Sequence, residues 1–573
     1  MSTEHQAHRW RFHVVWVGLL GLAVLLIMRL MSLQVLESDR GQDFLRQQGD
    51  RRAIRTEKIV AHRGMIADRN GEPLAISTPV VSVWANPTIL SQHLERNGEL
   101  AKQLGINAGK LRSKIQRVAK RKFIYLKRRL TPPAADKVRA LKIPGVYFQQ
   151  EYKRYYPAAE VAAHIVGFTN IDDRGQEGLE LTYDRYLKGI PGKKRILKDL
   201  HGNLIRELDQ IEQAKSGKDL YLSIDLRIQY IAYKALKKAI KLHHASSGSV
   251  VVLDSRSGEV LAAANQPSFN PNNRRHLDPA ALRNRVITDV FEPGSTVKPL
   301  TMIAALESGE YTPQTMIDTN PGSIKVDRKV LLDPVNYGNI SLTKVIKKSS
   351  QVGTTKVALS LEPEVVRNAF YRAGLGQATG TGFPGEGVGV LPNRRRWSDI
   401  ERATFAFGYG LSVTPLQLAQ SYTVFANHGY KKPVSLVRRE APPEFTEQVT
   451  SAKIADEILA MMATVTERGG TGTRAAIKGY NVAGKSGTAH KADRGGYSEN
   501  EYTAIFAGIA PVDDPRLIIV VVVNDPKAGQ HYGGQVSAPV FAEVAAATLA
   551  AMGAPPDRLQ DFEAPAKIAG SKH

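Results

Sequence analysis

Phe291-Glu292-Pro293-Gly294-Ser295-Thr296-Val297-Lys298 decides how this chain is read. Pro293-Gly294 halts whatever precedes it, and an apolar-periodic run from Val297 to Leu306 follows at once. That order predicts a helix whose first turn carries Ser295. Positions i and i+3 share a helix face, so the Ser295 hydroxyl and the Lys298 amine are expected side by side. An amine beside a hydroxyl is what an activated serine nucleophile needs. Ser-x-x-Lys alone is weak: Ser341-Leu342-Thr343-Lys344 is a second copy, and most such pairs are solvated surface.

Two later stretches give the first one company. Ser349-Ser350-Gln351 comes next, and Lys485-Ser486-Gly487-Thr488 follows much further on. Lys215-Ser216-Gly217 imitates the last but precedes the nucleophile and has no strand pattern around it. Leu226 to Leu242 reads as an amphipathic helix. Ser249 to Asp254 and Glu259 to Ala263 read as a hairpin. A mostly helical and loop region runs to about Arg468. Tyr480 to Thr488, Tyr502 to Ala510 and Leu517 to Asn524 are strand-like, and Ser537 to Met552 is a last helix. Strands at both ends with helices between predict one sheet completed by the final strands.

Upstream, residues 34–222 are basic and mixed in pattern, with an Asn70-Gly71 turn, a strand at Val80 to Trp84 and a helix from Lys102 to Ala119. They hold no catalytic constellation and read as a pedestal or docking module. Phe12 to Met28 is apolar except for His13. At about 1.5 Å per residue it falls slightly short of a roughly 30 Å hydrocarbon core, and extension through Arg29 to Leu33 makes up the length. Arg29 would snorkel at one end, with Trp10 and Trp16 at the other interface. Arg9 and Arg11 keep the short N-terminus cytoplasmic. No small-x-small cleavage site follows, so an uncleaved single-span anchor is expected, with nearly all the mass outside the cytoplasm.

The 573 residues exceed one ordinary core, and two or three domains are expected. The absence of cysteine rules out disulfides, thiolate metal sites and a cysteine nucleophile. A net charge of +23 calls for an anionic neighbour. Zinc-finger spacing, RNP-like strands and basic heptads are missing, so phospholipid headgroups suit that charge better than nucleic acid.

Ser295-x-x-Lys298, Ser349-x-Gln351 and Lys485-Ser486-Gly487, in this order, resemble the motif set of the penicillin-binding proteins and serine β-lactamases. Arg63-Gly64-x-x-x-Asp68-Arg69-x-Gly71, Arg154-Tyr155-Tyr156-Pro157, Gly175-x-x-Gly178-x-Glu180, Phe407-Gly408-Tyr409-Gly410 and Gly533-Gly534-x-x-Ser537-Ala538-Pro539 extend the likeness to the class B, monofunctional penicillin-binding proteins, in their division-specific branch. Ala159 stands where that class usually has glycine.

The resemblance implies an α+β multidomain chain. It would have a cytoplasmic N-terminus (1–11), a transmembrane helix (12–33), an elongated α/β pedestal of the dimerisation type (34–222), a transpeptidase domain (223–555) and a flexible tail (556–573). The transpeptidase domain is of the penicillin-binding, serine β-lactamase-like kind, an antiparallel sheet with helices on both sides. The implied reaction is septal peptidoglycan cross-linking by D,D-transpeptidation through a serine acyl-enzyme, with β-lactams acylating the same serine. Ser295 would be nucleophile, Lys298 base, Ser349 proton relay and Lys485 a second cation. Ser486 and Thr488 would take a substrate carboxylate beside Gly487, and the backbone N–H groups of Ser295 and Thr488 would form the oxyanion hole. Tyr409 and Tyr532 are candidate substrate walls. No metal or cofactor is expected. The implied partners are stem peptides, the polytopic glycosyltransferase FtsW and other division proteins. The implied setting is the bacterial inner membrane, with the catalytic domain in the periplasm.

Gln351 departs from the family, which places asparagine there. One extra methylene displaces the amide by about 1 Å, enough to cost about 100-fold in rate. That leaves room for a catalytically weak scaffold of the division complex; separately, an elongation-specific class B homologue would differ in acting at the lateral wall instead of the septum. A β-lactamase needs a deacylating base, and no Glu-x-x-x-Asn-like loop supplies one.

Overall fold

The computed structural model describes residues 4–34, 54–199, 204–275, 277–441, 443, 446–493 and 496–558. The pedestal expectation for 35–53 and the tail expectation from 559 onward fall outside the described residues. Two compact units form, one from residues up to 62 with 189–217, the other from 63–188 with 218 onward. The 34–222 interval therefore contributes to both.

In the first unit, α1 (Glu4–Gln34) contains an apolar stretch, Trp10–Ser32, of 23 residues with mean hydropathy 2.4 and no buried share. Its length suffices for a roughly 30 Å hydrocarbon core. A three-stranded antiparallel sheet of Ile54–Ile59, Gly192–Lys198 and Leu204–Glu212 completes the unit. Its surface is laced by cross-strand ion pairs such as Arg195–Asp209 and Lys193–Glu212.

The second unit begins with β1 (Ile66–Ala67) and β2 (Pro73–Ala85), joined at Gly71, whose φ of 92° needs glycine. α2 (Asn97–Leu104), α3 (Ala108–Arg117) and α4 (Pro132–Ala140) cover one face of the sheet that β2 makes with β3 (Ile124–Leu130) and β4 (Val146–Tyr155). The single helix expected from Lys102 to Ala119 is two helices. Gly105 is left-handed at φ 63° and ends the first, and the Asn107 side chain caps the second by accepting from Lys110 N.

Arg63, Arg154 and Glu180 form a buried knot in this unit. Glu180, 0% exposed, accepts from Arg63 Nε at 2.8 Å and from Arg154 Nε at 2.6 Å. Arg63 also reaches Asp184 at 2.7 Å. Asp68 extends the connection by accepting from Leu226 N at 3.0 Å, at the start of α5 (Leu226–Leu242).

The large sheet follows. β5 (Ser247–Asp254) and β6 (Val260–Gln266) form the expected hairpin. After the helical region come β7 (Ala483–Asp493), β8 (Gly496–Ala510) and β9 (Leu517–Asn524). The order is β6-β5-β9-β8-β7, every neighbour antiparallel, so chain-distant strands close one sheet. Both faces are covered, which turns β5 and β9 into continuous apolar runs rather than alternating ones. Val250, Val252, Ile519 and Val521 pack towards α5 and the last helix, α10 (Gly533–Ala551). Val251, Leu253, Ile518 and Val520 pack on the other side, with α6 (Lys298–Glu307) and α9 (Pro415–Ala426). α9 is buried all round and forms the centre of that layer. β7 is left as a sheet edge, bordering the serine turn.

Candidate active site

Gly294, at φ 52°, donates its N–H to Gly408 O at 3.1 Å and starts a single 3-10 turn, Gly294–Val297, that runs straight into α6. Ser295 therefore sits on a tight turn ahead of the α-helix rather than inside it. The turn lies against β7: a Cβ on Gly487 would come within 2.9 Å of Thr296 Cγ2 and 3.1 Å of Pro293 O. Only glycine lets strand and turn approach so closely. Ser295 is half-buried, and its hydroxyl has no hydrogen-bond partner among the described residues.

Lys298 and Lys485 are both 0% exposed. Lys298 Nζ donates to Ser349 O at 2.7 Å and Ser350 O at 3.0 Å, and lies 3.4 Å from Ser349 Oγ. Lys485 Nζ donates to Ser349 Oγ at 2.8 Å and to Ser486 O at 2.9 Å. Three segments far apart in sequence thus meet at one hydroxyl. Burial lowers the Lys298 amine to about 7, and the Asp333 carboxylate opposes that drop. Burial, then repulsion from Lys298, hold the Lys485 amine well below its ordinary value.

Ser349 ends α7 (Leu342–Lys348) in the left-handed conformation, φ 58°. A residue with a Cβ held there costs roughly 1–2 kcal/mol. The turn places its hydroxyl in contact with both amines. Ser350 then caps α8 (Gln351–Ser360) by accepting from Gly353 N at 2.8 Å.

Sequence reasoning missed Asp333. Its carboxylate, 8% exposed, accepts from Ser350 Oγ at 2.5 Å and from Gln351 N at 2.6 Å, with Val352 N at 3.4 Å. Asp333 is what holds the Ser349–Gln351 corner. Nothing in Leu332-Asp333-Pro334 marks it, since the partner lies beyond an intervening helix. The Gln351 side chain is half-buried, with no hydrogen-bond partner for its amide among the described residues.

On β7, Ser486 Oγ bonds Thr471 Oγ1 at 2.8 Å, and Thr488 Oγ1 accepts from Gly533 N at 3.0 Å. Tyr409 packs edge-on against Phe407 and Tyr497. Glu292, also missed from sequence, ties that side together by accepting from Gly410 N at 2.8 Å and Tyr497 OH at 3.0 Å. Burial pushes its carboxyl up. Tyr532 is 57% exposed, its ring tilted against His531 beside Gly533, away from the Tyr409 cluster in sequence.

The model of the penicillin-binding protein transpeptidase domain matches residues 248–546, and that of the penicillin-binding protein dimerisation domain matches 58–222. The chain is 43% identical to a probable peptidoglycan D,D-transpeptidase PbpC of Pseudomonas aeruginosa, over 98% of this chain and 99% of that one. It is 42% identical to the peptidoglycan D,D-transpeptidase FtsI of Escherichia coli, over 96% and 93%.

The chain is a class B penicillin-binding protein.

A solved peptidoglycan synthetase from Bifidobacterium adolescentis superposes with a TM-score of 0.69 at 26% identity, covering 88% of this chain and 98% of that one. For a penicillin-binding protein the arrangement of charge is chemically apt. Two buried amines flank one hydroxyl, and the Ser295 turn abuts β7, which has no further strand partner on its outer side among the described residues. Among the described residues no cluster of histidine and acidic side chains could hold a metal ion.

Proposed function

We propose that this class B penicillin-binding protein is a peptidoglycan D,D-transpeptidase of septal wall synthesis, acting through a Ser295 acyl-enzyme that β-lactams also form. The observation that carries the reading is the contact of Lys298 and Lys485 with Ser349, beside the Ser295 turn on an edge strand. A Lys298 amine lowered to about 7 is substantially neutral near physiological pH. It accepts the Ser295 proton as Oγ attacks the carbonyl of the penultimate D-alanine of a stem peptide. The backbone N–H groups of Ser295 and Thr488 receive the developing oxyanion. Collapse breaks the peptide bond, and the departing D-alanine amine takes a proton through Ser349, which the two lysines hold in place. An amine of a neighbouring stem peptide then attacks the ester and frees Ser295. Thr488 receives the substrate's terminal carboxylate near the Lys485 amine, with Ser486 beside it, and Gln351, Tyr409 and Tyr532 border the peptide.

α1 anchors the chain in the bacterial inner membrane as a single pass, with the catalytic unit in the periplasm. FtsW and other division proteins are its partners. Arg9 and Arg11 at the N-terminal end of the apolar stretch support the orientation, and the division-type relatives support the partners.

Intact-mass measurement after exposure to benzylpenicillin tests the chemistry. One covalent adduct is expected on the native chain and none on Ser295→Ala. No adduct at saturating penicillin would leave the scaffold reading, which the unfamiliar Gln351 keeps in play.

A further inference from the structure

Thr488 and Ser486 both carry a hydroxyl, yet their surroundings set them differently. A hydroxyl has one hydrogen and two lone pairs. Thr488 Oγ1 accepts from Gly533 N at 3.0 Å. An amide N–H can only donate, so this bond fixes which way the Thr488 hydroxyl faces. One lone pair is occupied, and the hydrogen is turned away from α10. No described residue accepts it. Ser486 is set the other way round: its hydroxyl donates to Thr471 Oγ1 at 2.8 Å, so its hydrogen is already taken.

The close approach that makes the Gly533 bond possible depends on glycine. A Cβ at 533 would lie 2.1 Å from Ile505 O and 2.3 Å from Gly487 O. Gly487 is the residue between the two hydroxyls. At 534 a Cβ would meet Thr471 O at 2.1 Å. Ser537 Oγ donates to Ala504 O at 2.9 Å and pins the same helix turn to β8. The start of α10 is thus clamped onto the strand at the point where its N–H reaches Thr488.

We propose that Gly533 is a positioning residue: its backbone N–H makes the Thr488 hydroxyl a committed donor to the carboxylate of the substrate's C-terminal residue, a task the Ser486 hydroxyl does not share. The proposal rests on the reading of Thr488 as a carboxylate contact given above. The partial positive end of α10 lies on the same side and favours an anion there.

Two probes separate this from a purely structural role. One is a D-alanyl thioester of thioglycolate, whose leaving group carries a free carboxylate; the other is its methyl ester. The readout is the acylation rate of Ser295 by each, with the native chain expected to prefer the acid. Gly533→Ala, whose Cβ cannot fit without moving β7, should slow acylation by both probes, but by the acid about 10-fold more than by the ester, the effect of losing one hydrogen bond to a charged group. Thr488→Val should lose the same preference, and Thr488→Ser should keep it. An equal fall with both probes in Gly533→Ala overturns the proposal. If Thr488→Val loses the preference and Gly533→Ala keeps it, the proposal fails while the carboxylate reading stands. If neither variant alters the preference, the carboxylate reading fails as well. Should Gly533→Ala not fold, hydrogen exchange at the Gly533 amide decides. It should be slow in the native chain and in Thr488→Ser and fast in Thr488→Val; equal rates in all three overturn the proposal.

Discussion

Asp333 and Gln351 are the residues at which this site is most open to test. The Asp333 carboxylate does two things at once: it fixes the Ser350–Gln351 corner and its charge raises the Lys298 amine against the pull of burial. Asp333→Asn keeps the shape and removes the charge. Without the opposing carboxylate Lys298 is lowered further, so the neutral amine persists to lower pH. The acid limb of the penicillin acylation profile, expected near pH 7 in the native chain, should therefore move to lower pH. The plateau should fall about 10-fold, because two bonds to a charged acceptor become neutral ones. Stopped-flow acylation between pH 5 and 9, in roughly half-unit steps, measures both effects. A limb that moves upward would show that Asp333 does not act on Lys298 through charge. Gln351→Asn tests the other residue. Its backbone stays bound to Asp333 and its free amide is drawn back by one methylene, so acylation should speed up, within the roughly 100-fold bound for a 1 Å displacement. An unchanged or lower rate would mean that the pocket has adapted to the longer side chain.

At the scale of elements, the Arg63–Glu180–Arg154 knot makes the clearest demand. Glu180 serves two buried guanidinium groups, and Glu180→Gln leaves Arg154 without its counter-charge and Arg63 with Asp184 alone. Removing one partner of a buried pair costs about 3–5 kcal/mol. The variant should melt well below the native chain while Ser295, if folded, still acylates; an unchanged melting temperature would show that the knot contributes little. This knot was legible only as a string of motif residues, because ion pairs spanning 117 and 26 positions leave no periodic trace. Periodic elements were read well: Leu226 to Leu242 and Leu517 to Asn524 appear at the expected limits. Boundaries set by packing were not. α10 begins at Gly533 rather than at Ser537, since the two glycines that look like a break are what allow the helix to close on β7. β7 and β8 run further than their apolar cores, as a hairpin extension across which His490 bonds Ser498 O and packs against Tyr502. The order of Ser295, Lys298, Ser349 and Lys485 was visible in the sequence. The left-handed turn at Ser349 and the role of Asp333 were not, because neither residue type announces that geometry.

Across the whole molecule, chemistry and anchoring reside in different parts of the chain. Ser295, Lys298, Asp333, Ser349, Lys485 and Thr488 all belong to the second compact unit, and α1 belongs to the first. The apolar stretch Trp10–Ser32 is unburied, so removing it exposes no core that it had covered. A chain lacking residues 1–33 is therefore expected to be recovered without detergent and to react with penicillin within about two-fold of the native rate, since no catalytic hydrogen bond is lost. That chain keeps most of the excess of Lys and Arg behind the net charge of +23. It should still sediment with vesicles rich in anionic lipid at low salt. It should leave them as ionic strength rises towards about 0.5 M, where screening shortens the reach of surface charge to a few ångströms. The full chain should remain bound under the same salt, because a buried apolar helix is not screened. Release of the full chain by salt would show that α1 does not insert. A large loss of acylation on truncation would show that the first unit acts on the catalytic machinery, a coupling that the placement of the site residues gives no reason to expect.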